Sequence, residues 1–371
     1  MPAYGYGNIR TGVYRYGTKL SGNAYSYGAH VYQSLSWVLP ANFASLSSSR
    51  YSVTAAAVPN GNVILSAGGY NGSSRFSVVE LYNEAGVRTV VNSLRSGKYN
   101  FAGYGHGSYA FFAGGSTSST GNTSQVDRYD SSGVRSALSN LDYNVQNNAA
   151  AEAGNCVLFA GGRVNALTGQ KAFVNAYDQN GTKSSLSDLS YEVQSHAGAS
   201  CDHYAFFGYG IDGSSYPTGV TIFNPSLVRT TTSGSQRRND LAAAKCGEGV
   251  IFAGGITMGS TSPRTNVVEH FSKSGVKTTY PALSSARCQM AIGELNGMTV
   301  IAGGGEQTSA SSTGVTTIEV YDNTGVKVSM SMSLNTARRN AGYATLNGTL
   351  YIVGGRNSST TVDTIETIAY K

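Results

Sequence analysis

The chain has 371 residues, 26 basic and 20 acidic, for a formal net charge of +6, and only 12% of it is charged. So mild a balance gives no argument for nucleic acid, and no apolar run approaches the eighteen or so residues of a membrane helix. Its 47 Gly, 25 Tyr and short apolar runs point instead to an all-β protein.

Residues 1–33 stand apart at the N-terminus. They carry Tyr4, Tyr6, Tyr14, Tyr16, Tyr25, Tyr27 and Tyr32, largely as "YGYG", "YRYG" and "YSYG", and no Asp or Glu. The segment is too rich in Gly for a solitary fold and too aromatic for an inert linker. We read it as an arm that docks on another subunit. It lacks the basic and then apolar regions of a signal peptide, so the sequence alone places the protein in the cytoplasm unless an assembly carries it elsewhere. Residues 34–50, "SLSWVLPANFASLSSSR", then read as a lone outer strand bearing Trp37, the single Trp.

From there one sentence repeats. A short apolar run ends in Gly-Gly at 68–69, 114–115, 161–162, 254–255, 303–304 and 354–355. "YAFFGYG" fills the gap between the third and fourth pairs, with Gly208 at the expected place and Tyr209 for the second glycine. Two strands joined by a tight turn ("PNGN", "LNGM", "LNGT") precede the glycines. A polar loop follows, then a third strand such as "VVELYN", "VNAYD" or "IEVYD", whose inward member recurs as Tyr82, Tyr129, Tyr177, Phe223, Phe271, Tyr321 and Ile368. A turn such as "DNTGVK" leads to a fourth strand. Four strands cannot bury their own faces, so the units must stack on one another. The spacing of nearly fifty residues is that of propeller blades. The seventh copy stops after its third strand, and residues 34–50 supply the fourth, closing a ring without open edges.

This pattern resembles the kelch-repeat family over about residues 34–371. The resemblance implies a seven-bladed β-propeller of four-stranded blades, closed by the N-terminal strand in the last blade. It also implies a partner-binding face formed by the loops after Gly-Gly together with the connections between blades. A basic residue ahead of the first strand persists as Arg50, Lys98, Arg238, Arg287 and Arg338 but is lost in the third and fourth copies, and kelch units usually carry a fourth-strand Trp that here occurs once.

The loops after Gly-Gly are mostly Ser, Thr, Gly and Asn, with Tyr70, Arg75, Arg163, Tyr209, Arg264 and Arg356 as candidate ligand contacts. Small hydroxyls and amides with a few aromatics and Arg suit peptide backbones or glycans. A basic residue also follows the outer turn in six blades: Arg88, Arg135, Lys183, Arg229, Lys277 and Lys327. We read these as guards of the outer edge against strand pairing. Glu80, Asp127, Glu269, Glu319 and Glu366 share one strand position and read as structural partners of basic residues. "GYGIDG" satisfies GxGxxG but opens no helix, so it is no dinucleotide motif.

The five His make no metal spacing, no catalytic motif emerges, and Cys156, Cys201, Cys246 and Cys288 read as free thiols, so neither metal nor cofactor is expected. The reading is a non-enzymatic binding protein of a larger assembly. Its partners are other subunits or a cell-surface glycan, not nucleic acid or membrane. By composition it is similar to bacteriophage virion appendages, which makes a virion the expected location and the cytoplasm the alternative. The alternatives are an enzyme resembling the kelch-type sialic acid mutarotases and an intracellular kelch adaptor.

Overall fold

The computed structural model describes residues 18–19, 25–26, 36–38, 43–164, 169–213, 215–258, 263–308 and 311–370. Seven antiparallel sheets stand around one axis. The first blade runs Thr54–Val58, Val63–Ala67, Val79–Asn83 and Arg88–Val90, paired in that order from the axis outward. The inner strands of the next six are Ala102–His106, Ala149–Ala153, Ala197–Cys201, Ala242–Cys246, Ala291–Leu295 and Gly342–Leu346. Each packs on its neighbours, the last on the first. Their alanines and glycines explain how seven strands crowd so near an axis: a Cβ on Gly105 would meet the Ala57 carbonyl oxygen at 1.7 Å.

Closure follows the expectation. Ile365–Tyr370 is the third strand of the seventh blade, and Trp37–Val38 pairs with it, Trp37 opposite Tyr370 and Val38 opposite Ala369. The Trp37 and Tyr370 rings stack at 4.5 Å. In the arm, Lys19 pairs with Tyr25; Tyr4, Tyr6, Tyr14, Tyr16 and Tyr27 lie outside the described residues.

The cores lie between blades. All seven recurring third-strand residues, from Tyr82 to Ile368, are buried there. The Gly-Gly pairs take positive φ throughout, for example +61° at Gly68 and +106° at Gly69, and the second N–H reaches across the seam, as from Gly69 to the Lys98 carbonyl at 2.9 Å. In the fourth blade the sequence alignment slips by one residue. Tyr209 (φ +66°) and Gly210 (φ +103°) occupy the paired positions, while Gly208 ends the strand where other blades have Ala or Val. "PNGN" also differs from its siblings: residues 59–61 form a short 3-10 turn and Asn62, not Gly61, is left-handed.

Buried ion pairs tie the strand to the chain that crosses its loop face. Arg50–Glu80 (2.6 Å), Arg238–Glu269 (2.9 Å) and Arg338–Glu366 (2.6 Å) are joined by Arg287–Glu319. Lys98–Asp127 is looser, at 3.8 Å. In blades three and four both members are gone together: Val145 with Asn175, and Val193 with Thr221. An unmatched charge in such a site costs several kcal/mol, so losing both halves is the tolerable change. The outer cations also turn inward, Arg88 to Glu80 (3.7 Å) and Lys277 to Glu269 (3.5 Å), while Arg229 caps the Asp188 carbonyl. All four cysteines are free.

Candidate functional site

Two residues after each basic position or its replacement, the chain turns through a left-handed residue: Ser52, Asn100, Asn147, Ser195, Asp240, Gln289 and Asn340, all with φ between 49° and 56°. The N–H of one donates to the carbonyl of the preceding one at 2.8–3.1 Å at six of the seven seams. These residues form a polar hoop where the axial channel meets the loop face. None is glycine, although the conformation costs an ordinary residue about 1 kcal/mol or more. Strain repeated at one level of the molecule marks the hoop as a built feature.

Outside the hoop lie two further circles, formed where the segment entering each inner strand bridges the residue after the glycines: Tyr51 with Tyr70, Tyr99 with Ser116, Gln146 with Arg163, and Arg339 with Arg356. Blades seven, one and two therefore carry an arc of stacked cations and rings. Arg356 lies 4.3 Å from the Tyr51 centroid, Tyr51 meets Tyr70 edge-on at 5.8 Å, and Tyr70 stacks on Tyr99 at 4.8 Å. Arg75 covers both of the latter, at 5.3 and 5.4 Å.

The arc continues through Arg339, on the segment entering blade seven, to Arg264 of blade five. Gln289 Oε1 and the Ser312 carbonyl accept from Arg339 at 2.8 and 3.2 Å, fixing its guanidinium. Burial first, and then the positive charge of Arg356 and Arg264, hold Arg339 below the usual arginine range. The acid facing this group is Asp240 of the hoop. Burial raises its carboxyl despite hydrogen bonds from Gln289 and Ser195 and the pull of Arg264 and Arg339. Two guanidiniums acting on one reluctant carboxyl, with Arg356 beside Arg339, make a site electrostatically prepared for an anion.

Of the residues singled out from the sequence, Tyr70, Arg75, Arg264 and Arg356 belong to this arc. Arg163 sits in blade three, away from it, with its carbonyl accepting from Asn122 at 2.8 Å. Tyr209 does not line the face at all. It is 1% exposed, its hydroxyl donates to Glu269 Oε2 at 2.6 Å, and Arg238 lies over its ring at 4.5 Å. The close approach of Gly234 makes room for that ring. Tyr51, Tyr99, Asp240 and Arg339 escaped the sequence reading because they precede the inner strands rather than follow Gly-Gly. Arg339 is further masked by Arg338, the repeat's own structural arginine.

At the opposite end of the channel, Glu152 accepts from two imidazoles, His203 Nδ1 at 2.6 Å and His106 Nδ1 at 3.3 Å. Those hydrogen bonds outweigh burial and hold its carboxyl below the usual range. Among the described residues no three His, Cys, Asp or Glu side chains form a metal site.

Architecture and loop face together define a β-propeller built to present residues around its axis. A family model described as Kelch motif matches residues 337–368, the seventh blade, and the six other blades repeat that blade's four-stranded plan in a seven-bladed β-propeller. No curated protein matches the sequence. The solved structure titled "Structure of YjhT" aligns with a TM-score of 0.59 at 15% identity, over 72% of this chain and 93% of that one. At that identity the likeness is one of fold. Among the described residues no helix is long and apolar enough to cross a membrane.

Proposed function

We propose that the protein is a non-enzymatic binding propeller that captures a carboxylate-bearing group of its partner on the loop face. The observation that carries this reading is the pair Arg264 and Arg339 about the carboxyl of Asp240, with Arg356 beside Arg339 and the Tyr51–Tyr70–Tyr99 ladder beyond it. Guanidinium groups take carboxylates through paired, charge-assisted hydrogen bonds, and adjoining tyrosines supply rigid contact area. The test compares acidic and neutral peptides and oligosaccharides on immobilised protein. Arg264→Ala with Arg356→Ala should weaken acidic ligands about a hundredfold, at roughly 1.5 kcal/mol per charged contact. Equal binding of neutral and acidic members would refute it.

The raised carboxyl of Asp240 favours a second reading, in which that acid transfers a proton to a bound sugar as in a mutarotase-like enzyme. Asp240→Asn separates the two: a binding protein keeps its ligand, whereas an enzyme loses turnover. The tyrosine-rich residues 1–33 would tether the propeller to another subunit.

A further inference from the structure

The channel itself encloses about 600 Å³, a volume suited to a small molecule. Its wall changes character along the axis. Toward the loop face it is mostly apolar, with Ala55, Ala150, Ala243 and Ile292 between the polar Thr54 and Asn148. The neutral ring of His196, 8% exposed and held low by burial against a weaker contribution from the Ala160 backbone, also lines it.

Toward the hairpin end, the fourth residue of each inner strand sets the lining. At that level blades one and two contribute Ala57 and Gly105, with Tyr104 of blade two lying beside Glu152 and bonded to Ser200; blades three to seven contribute Glu152, Ser200, Lys245, Glu294 and Thr345. Charge is unevenly compensated in that ring. Lys245 donates to Asp202 at 2.7 Å, and on the rim Lys273 pairs with both Asp202 (2.9 Å) and Glu248 (2.7 Å). These two cations and two anions cancel. Glu152 is met by the imidazoles of His106 and His203, and Glu294 accepts a backbone N–H from Gly297. Among the described residues these two carboxylates, three blades apart, have no Lys or Arg bonded to them, Glu294 lying only in the field of Lys245, and they flank an arc (Thr345, Ala57, Gly105) of small side chains.

We propose that the channel binds a small primary alkylammonium compound. Its charged head lies in the bare arc between Glu152 and Glu294, and its hydrocarbon body lies along the alanines above. A neutral polyol would leave both carboxylate charges uncompensated, and an anion would add to them. An ammonium answers both, while an aliphatic stem matches the wall beyond. This site is independent of the arginine arc.

Calorimetry on the full chain with n-butylammonium tests the proposal, using n-butanol and butyrate as neutral and anionic heads on the same body. Butylammonium should bind one to one and weaken about tenfold in Glu294→Gln. Thr345→Lys, at an exposed position where folding is not at stake, places an ammonium in the bare arc and should abolish binding. A loop-face variant carrying Arg264→Ala and Arg356→Ala should bind normally. Absence of butylammonium binding, equal binding of butanol or butyrate, or unchanged affinity in both channel variants overturns it.

Discussion

Tyr209 shows what a single residue position demands. Counting glycines puts Gly208 in register, because periodicity registers identity, whereas the fold asks for a backbone at positive φ with its next N–H turned across the seam. Tyr209 meets that demand at a conformational cost, offset by its bond to Glu269 and its packing on Phe252 and Phe271. Nothing in "FFGYG" announces this, since tyrosine rarely adopts that conformation. His196 is equally silent in sequence. Burial pushes its imidazole down to about 4, from an ordinary value near 6.5, so the folded protein holds it neutral. Between those values the unfolded chain binds a proton that the native one refuses. The contribution is therefore fully present above pH 6.5 and drains away as pH falls to 4, about 3 kcal/mol in all. Urea titrations across that window should show the decline, and His196→Phe should flatten this part of it. An unchanged slope in the variant would remove His196 from the account.

At the scale of the element, the strand-to-crossing ion pairs were half legible. Five basic and five acidic residues recur at fixed places, and both series lapse in copies three and four. That coincidence is the sequence trace of a pair that can be dropped only whole. Distances are needed to see that the partners belong to one seam rather than to the outer turn, where Arg88 and Lys277 also reach the same acids. Blade four offers the test, because the Thr221 side chain at the acid position bonds only Ser190 among the described residues. Val193→Arg alone buries a cation without its acid and should destabilise by about 3–5 kcal/mol. Adding Thr221→Glu should recover at least half of that loss in a double-mutant cycle. Denaturation midpoints that simply add would show that the seam cannot form the pair its siblings form.

For the whole molecule, ring count, strand order and terminal closure were readable because repetition multiplies a weak signal seven times. The loop-face site was not. Its members come from four or five blades, and no repeat records which of its variable positions will meet across the axis. Closure itself rests on a brief clip, two residues of Trp37–Val38 against a strand of six. Two truncations divide its roles. Removing residues 1–33 should leave a monomeric propeller and abolish the subunit docking proposed for that segment. Removing residues 1–38 also exposes the edge of Ile365–Tyr370 and should produce self-association and a lower melting temperature, read by light scattering and calorimetry. Identical behaviour of the two would mean that the clip seals nothing.

The left-handed hoop bears on how the chain folds. Each link in that circlet joins consecutive blades, and the one from Ser52 to Asn340 joins residues 288 apart in sequence. A partly assembled crescent holds the local links and none of the tension of the finished circle, so its strained turns stay uncompensated until the last blade arrives. Acquisition of the native state should therefore be late and abrupt, with the polypeptide's two ends meeting as its final act.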